Sequence, residues 1–201
     1  MNSSSMETYK IVLVGDVSVG KTNLLTQYVD KKFSENNIST VGIEFKNKII
    51  ELENGRKIRL QIWDTSGQEK FMSLTKNYFR GCNLALFVFD VTNKASFDDI
   101  QMWLDSFKDV NGEKSKRVLI GNKIDLENRV VDKEEAENFA KENDLQYFEI
   151  SVKENKDNQI NDMFVKIFES MTFSDAFSEK ENSSEKLNKR KIVHNNKKGC
   201  C

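Results

Sequence analysis

Lysine and threonine stand side by side at the end of a glycine-bounded loop, Gly15-Asp16-Val17-Ser18-Val19-Gly20-Lys21-Thr22. The loop follows the apolar run Ile11-Val12-Leu13-Val14 directly. Glycines at Gly15 and Gly20 let backbone N–H groups wrap around phosphates. A helix opening at Lys21 points its partial positive charge at the same place. Lys21 can reach β- and γ-phosphates, and the Thr22 hydroxyl suits Mg²⁺. A strand-turn-helix can carry such a string by chance. The strand before it and the amphipathic Asn23-Leu24-Leu25-Thr26-Gln27-Tyr28-Val29 after it favour a phosphate loop.

A second constellation specifies a base. Val118-Leu119-Ile120-Gly121 reads as a strand, and Asn122-Lys123-Ile124-Asp125 stands at its C-terminal end. Ligands of parallel α/β sheets bind at that edge. The Asp125 carboxylate can accept two hydrogen bonds, from N1–H and the 2-amino group of guanine. Adenine would leave the carboxylate desolvated and unpaired, which discriminates strongly. A solvated turn is the bland alternative. Its order after a phosphate loop argues against that.

Between the two lies Ile62-Trp63-Asp64-Thr65-Ser66-Gly67-Gln68-Glu69. Asp64, at a strand end, suits a Mg²⁺-linked water. Gly67 can present its N–H to a γ-phosphate. Gln68 carries a donor and an acceptor, which suits orienting an attacking water. Thr40, upstream in Ile38-Ser39-Thr40-Val41-Gly42, has a second hydroxyl for Mg²⁺; a lone loop threonine is ordinarily a turn residue.

The elements that must position these residues alternate between apolar strands and amphipathic helices, the pattern of a mainly parallel sheet with helices on both faces. Helices are predicted at Lys21 to Asp30, Ser73 to Phe79, Ser96 to Val110, Asp132 to Glu142 and Gln159 to Phe173. One hairpin interrupts the alternation. Runs from Phe45 to Leu52 and from Lys57 to Trp63 flank Asn54-Gly55, a strong turn signal, which places one antiparallel strand at the sheet edge.

With these residues in order, the chain resembles a Rab-type small GTPase of the Ras superfamily over Tyr9 to Thr172. Five nucleotide boxes occur in sequence, the fifth being Glu149-Ile150-Ser151-Val152-Lys153. Val41-Gly42-Ile43-Glu44-Phe45, Leu60-Gln61-Ile62-Trp63-Asp64, Tyr78-Phe79-Arg80-Gly81 and the ending Gly199-Cys200-Cys201 are also similar to that family. The resemblance implies an α/β P-loop NTPase G domain, with a mainly parallel six-stranded sheet and one antiparallel edge strand. It implies a GTP/GDP-cycling switch of vesicle trafficking that hydrolyses GTP slowly without an activating protein. The implied nucleotide contacts are Gly15, Val17, Ser18, Val19, Gly20, Lys21, Thr22, Asn23, Phe33, Thr40, Gly67, Asn122, Lys123, Asp125, Ser151, Val152 and Lys153. Thr22, Thr40 and Asp64 would hold Mg²⁺, and Gln68 would be catalytic. Ile43, Phe45, Trp63 and Tyr78 would meet effectors, although three aromatics at such positions are equally a core.

Composition bounds the rest. At 201 residues one domain is expected, and the net charge of −1 argues against a nucleic-acid partner. No window reaches transmembrane length. The polar Met1 to Thr8 lacks an apolar core, so no signal peptide is expected, and with Asn at position 2 N-myristoylation is not expected either. Cys82 begins an apolar strand and is expected to be an inert core thiol in a reducing setting. His194 is the single histidine, so histidine catalysis and histidine metal sites are not expected.

Residues 1–8 are expected to be disordered, 9–173 to form the G domain, and 174–201 to be a flexible tail. From Lys186 onward the tail has six Lys or Arg and no acid. Basic residues before Cys200 and Cys201 suit an anionic leaflet, and two cysteines can carry the two chains that stable anchoring needs. The resemblance implies geranylgeranyl groups there, residence on the cytoplasmic face of an endosomal or secretory membrane with a cytosolic pool, and an exchange factor, a GTPase-activating protein, an escort protein or GDP dissociation inhibitor, and effectors.

Several positions depart from the family pattern. Val17 stands where Rabs usually carry Ser or Gly, and its branched side chain is expected to crowd Gln68 or an activating protein's finger. Ser18 replaces a usual Gly, at a backbone cost if φ is positive. Asn37, Val152 and Ser66 replace a usual Tyr, Ala and Ala. A hydrolysis-poor, GTP-bound membrane scaffold with the same fold is therefore the competing hypothesis. A Ras- or Rho-type chain would end in Cys-a-a-X instead.

Overall fold

The middle strands of the sheet are apolar on both sides, so they read as continuous hydrophobic runs without alternation. The computed structural model describes residues 6–34, 43–52, 54–65, 72–113 and 115–171. The order along the chain is β1 (Glu7–Val14), α1 (Lys21–Asp30), β2 (Ile43–Glu51), β3 (Lys57–Thr65), α2 (Met72–Phe79), β4 (Leu84–Asp90), α3 (Lys94–Asp98), α4 (Ile100–Asn111), β5 (Lys116–Asn122), α5 (Lys133–Glu142) and β6 (Gln146–Ile150). A 3-10 turn follows at Lys156–Asn158. The chain divides into residues 1–163 and 164–201. Residues 159–163 of the first part and 164–171 of the second are helical.

The six strands lie in the order β2-β3-β1-β4-β5-β6. All neighbours pair in parallel except β2 and β3, whose antiparallel register runs from Ile43 opposite Thr65 to Glu51 opposite Lys57. The expected edge hairpin is therefore present. Gly55 turns with φ 77°, and the Arg56 N–H donates to Asn54 Oδ1 at 3.0 Å. Glu7 and Thr8, expected to be disordered, are already in β1, where they lie opposite Ile58 and Arg59.

One face of the sheet presents Val12, Val14, Phe87, Phe89 and Leu119 to a core completed by helices α3, α4 and α5. In α4, Ile100, Trp103, Leu104 and Phe107 recur at helical spacing and are fully or almost fully buried. Each such side chain contributes about 1.5–3 kcal/mol by leaving water. Ala136 and Ala140 of α5 bring that helix close to the sheet. The intervening strand residues, such as Ile11, Leu13, Leu86 and Val88, face the other side and are fully buried, as are Leu24, Leu25 and Tyr28 of α1 to within 1%.

The helix expected from Ser96 to Val110 is two helices. The first starts earlier, at Lys94, because the Asn93 side chain caps it by accepting from the Ser96 N–H. It stops at Asp99, whose N–H is shared between the Ala95 and Phe97 carbonyls. The second then begins at Ile100.

Candidate functional site

The parallel strands β1, β4 and β5 carry their C-terminal ends to one edge, and the chain places the loops with chemistry there. Gly15 and Gly20 have φ of 134° and 104°. Each is also needed for space. A Cβ on Gly15 would lie 2.1 Å from the Val88 carbonyl oxygen of β4, and one on Gly20 would lie 2.3 Å from Asn122 Nδ2. The loop is thus pressed between strands as well as shaped for turning. Ser18 takes φ 64°, the strained conformation its glycine-like position suggested. Val17 between them is 46% exposed, and Val19 is buried.

Lys21 folds back over this loop. Its ammonium donates to the carbonyls of Gly15 at 2.8 Å and Asp16 at 2.6 Å. The residue is 5% exposed. Burial pushes its pKa down to about 8, against the pull of the Asp64 and Asp16 charges in the other direction. A cation so desolvated is stabilised by any anion brought beside it. Thr22 Oγ1 donates to Asp64 Oδ2 at 2.5 Å, which joins the start of α1 to the end of β3. Thr65, next to it, donates to the Leu13 carbonyl at 2.7 Å and fixes that strand end on β1. Asn23 holds the chain beyond α1, its Nδ2 donating to the Ser34 carbonyl at 3.1 Å beside half-buried Phe33.

At the end of β5, Asn122 is a clamp. Its Nδ2 donates to the Val19 carbonyl at 2.8 Å, and its Oδ1 accepts from the Val152 N–H at 3.1 Å. One buried side chain therefore joins the phosphate loop, β5 and the loop after β6. Ser151 donates to Asp125 Oδ1 at 2.6 Å and accepts from the Glu154 N–H at 3.0 Å. Lys123, at φ 69°, reaches Asp90 Oδ2 at 2.6 Å. The Thr92 hydroxyl and N–H donate to Asp90 Oδ1 at 2.7 and 2.8 Å. Val152 is buried and Lys153 exposed. A cavity of about 300 Å³ opens beside Asp125 and Ser151, lined also by Ile124, Glu154, Lys156 and Gln159.

The structure thus gathers the expected phosphate and base residues at one sheet edge. Thr40, Gly67, Gln68, Asn37 and Ser66 lie outside the described residues, as do Cys200, Cys201 and the basic tail. Ile43 opens β2. Phe45, Trp63 and Tyr78 form a continuous row of mutually tilted rings, with centroids 4.9 Å apart for the first pair and 5.5 Å for the second. Phe45 is 42% exposed, so the row reaches the surface. Cys82 is buried, and burial pushes its thiol pKa up to about 12, as expected of an inert core thiol.

Sequence reasoning missed Asp90, the partner of Lys123, although a carboxylate ending a buried strand was the signal that had picked out Asp64. It also missed Arg129, which donates to Glu149 Oε1 at 2.8 Å, while the Tyr147 hydroxyl donates to the same oxygen at 2.8 Å. The Arg129 bond ties the loop after Asp125 to β6.

The doubly wound sheet and the glycine-bounded loop entering α1 define a phosphate-loop α/β domain. Residues 10–173 match the model of the Ras family. The chain is 46% identical over 153 residues to Ras-related protein Rab-2B of Dictyostelium discoideum, covering 76% of this chain and 75% of that protein. It is 45% identical over 148 residues to Ras-related protein Rab-10 of Diplobatis ommata, covering 73% and 74%. Against Ras-related protein Rab-13 of Rattus norvegicus the identity is 42% over 146 residues, covering 72% and 71%. The chain belongs to the Ras family as a Rab-type small GTPase, an enzyme that hydrolyses GTP to GDP and phosphate. Regulation of vesicle trafficking is the role typical of Rabs.

Proposed function

We propose that the sheet-edge constellation is the guanine nucleotide site of a cycling switch, with roles divided by residue. The observation that carries it is Lys21, a buried ammonium held over the phosphate loop on two carbonyls, with the Thr22–Asp64 pair beside it. Lys21 and the loop N–H groups from Val17 to Thr22 take the phosphates, and Asp125 reads guanine with Ser151 orienting its carboxylate. Asn23 and Phe33 border the nucleotide, and Lys123, Val152 and Lys153 surround the base.

A hydroxyl and a carboxylate 2.5 Å apart form an oxygen donor set, which fits Mg²⁺ in the presence of phosphate oxygens. Among the described residues no cluster of three or more His, Cys, Asp or Glu could hold an ion alone. Thr22 and Asp64, with Thr40, would hold the ion, which would neutralise charge on the β- and γ-phosphates. Gln68 orients the water that attacks the γ-phosphate, and Gly67 and Thr40 tie two loops to that phosphate until hydrolysis releases them. Retention of Gln68 favours cycling over the hydrolysis-poor scaffold.

Effectors would read the Phe45–Trp63–Tyr78 row with Ile43. An exchange factor, a GTPase-activating protein, and an escort protein or GDP dissociation inhibitor complete the cycle. Among the described residues no helix is long and apolar enough to cross a membrane. Geranylgeranyl groups on Cys200 and Cys201 would anchor the chain to the cytoplasmic face of an intracellular membrane, assisted by the basic tail and with a cytosolic pool.

Nucleotide binding by Lys21→Ala and Thr22→Asn tests the site. The first variant is expected to lose GTP and GDP, and the second to become empty or GDP-biased. GTP affinity equal to the parent's in either variant would sink the assignment. Single-turnover hydrolysis, with and without an activating domain, separates the cycling switch from the scaffold.

A further inference from the structure

Asp16 sits inside the phosphate loop, and its side chain is bonded to a helix of the core. Asp16 Oδ1 accepts a hydrogen bond of 2.7 Å from the indole Nε1 of Trp103, a residue of α4 that is 1% exposed. The two residues are 87 positions apart. The backbone of the same aspartate is one of the two carbonyls that hold the Lys21 ammonium. A tether on the Asp16 side chain is therefore a tether on the Lys21 seat.

We propose that Trp103 and Asp16 are a positioning pair, which fixes the carbonyl seat of Lys21 and thereby slows nucleotide release. The proposal rests on the assignment of the phosphate loop given above. The choice of aromatic residue supports it. Phenylalanine already fills neighbouring core positions, at Phe87 and Phe107. Trp103 adds one polar atom, and a buried indole N–H is costly unless it finds an acceptor. The acceptor it finds lies in the nucleotide loop.

The loop needs such an anchor. Gly15, on one side of Asp16, is pinned by its close approach to β4, whereas Val17, on the other, is 46% exposed. Asp16 is the last point held before the loop enters solvent. Burial and the neighbouring Asp99 carboxyl at the start of α4 push the Asp16 pKa up. The indole bond and the Lys21 charge oppose that. The indole bond thus favours the ionised form of a partly buried carboxyl that sits within hydrogen-bonding reach of the Asp99 carboxyl.

The test is the release rate of a fluorescent GDP analogue in Mg²⁺ buffer, measured on the full chain beside its thermal melting. Trp103→Phe and Asp16→Ala are each expected to release GDP about tenfold faster, and the double variant no faster than the faster single one. Asp16→Asn, which loses the charge but keeps the acceptor, is expected to stay within about twofold of the parent. That variant separates the hydrogen bond from the favourable effect of removing a negative charge near phosphates.

Parent-like release in Trp103→Phe, with or without a lower melting temperature, would reduce Trp103 to a core residue and overturn the proposal. So would single effects that multiply in the double variant. If Trp103→Phe fails to fold, the Asp16→Ala and Asp16→Asn pair decides: equal release rates overturn the proposal, and faster release in Asp16→Ala alone supports it. A parent chain unable to retain GDP would instead sink the nucleotide site itself.

Discussion

The two halves of the nucleotide site are built from different materials. The phosphate half is backbone: Gly15 and Gly20 without room for a Cβ, Ser18 in a left-handed conformation, and two carbonyls seating Lys21. The base half is side chain: Asn122 clamping two loops, Ser151 holding Asp125, Asp90 holding Lys123, and Arg129 and Tyr147 meeting on Glu149. A triphosphate presents repeated oxygens, which backbone amides and one cation can grip. A base is distinguished only by the placement of particular donors and acceptors, which side chains supply. Damage to the first half should therefore cost the fold, and damage to the second should cost selectivity or acid tolerance.

The largest expected effect on stability is that of Gly15→Ala. Its Cβ would collide with the Val88 carbonyl at 2.1 Å, and its φ of 134° disfavours any side chain. A loss of about 3 kcal/mol or more is expected from strain and clash together. Gly81→Ala is the control, since it also has positive φ (69°) but meets nothing within 4 Å. It should cost about 1–2 kcal/mol, the penalty of a left-handed conformation alone. Equal losses in chemical denaturation would break the contrast, because conformational freedom alone would then explain both glycines.

Asp125→Asn should leave the fold nearly intact, since an amide oxygen can still accept from Ser151. Guanine affinity should fall roughly thousandfold, as a site built for two donors now presents one of its own. Xanthine nucleotides should gain relative to GTP. Normal GDP binding by this variant, or a preference of the parent for ATP, would show that the base half lies elsewhere.

Val17→Ser probes the phosphate half without touching its packing, because Val17 is 46% exposed. Activator-stimulated hydrolysis is expected to rise about tenfold, roughly 1.4 kcal/mol of barrier. Stability should change by less than about 0.5 kcal/mol. Faster hydrolysis in the parent would mean that the loop accommodates the branched side chain.

The smallest effect sharpens the base half. Burial pushes the Glu149 carboxyl up, but the hydrogen bonds from Arg129 and Tyr147 and the Arg129 charge outweigh it, so its pKa lies below the ordinary carboxylate value. Glu149 then binds fewer protons in the folded chain than in the unfolded one. Its stabilisation is present above the unfolded value and lost as pH falls through the folded one. Arg129→Gln removes both the hydrogen bond and the charge that Arg129 supplies, so less of the lowering remains and acid unfolding, followed by circular dichroism, should begin at a higher pH. An unchanged acid midpoint would remove the charge network from the account.

Tail attachment is tested separately. Cys200→Ser with Cys201→Ser should make the chain wholly cytosolic by fractionation, and either alone partly so. Membrane binding that persists in the double variant points to another anchor.

What the sequence determined by itself was whatever neighbours along the chain can encode. The phosphate-loop string, Asn122 to Asp125 after an apolar run, and the Asn54-Gly55 turn between two strands each fix a local shape, and their order fixed the family. The start of β1 at Glu7 and the division into α3 and α4 at Asp99 escaped that reading, since pairing opposite β3 and a capped turn decide them. Only the tertiary structure decided which distant groups meet. Asn122 reaches Val19 across 103 positions, and Trp103 reaches Asp16 across 87. Gly15 is obligatory because a neighbouring strand passes within reach of its absent side chain. Such contacts depend on where whole strands and helices settle, and that is set by burial of the two faces of the sheet.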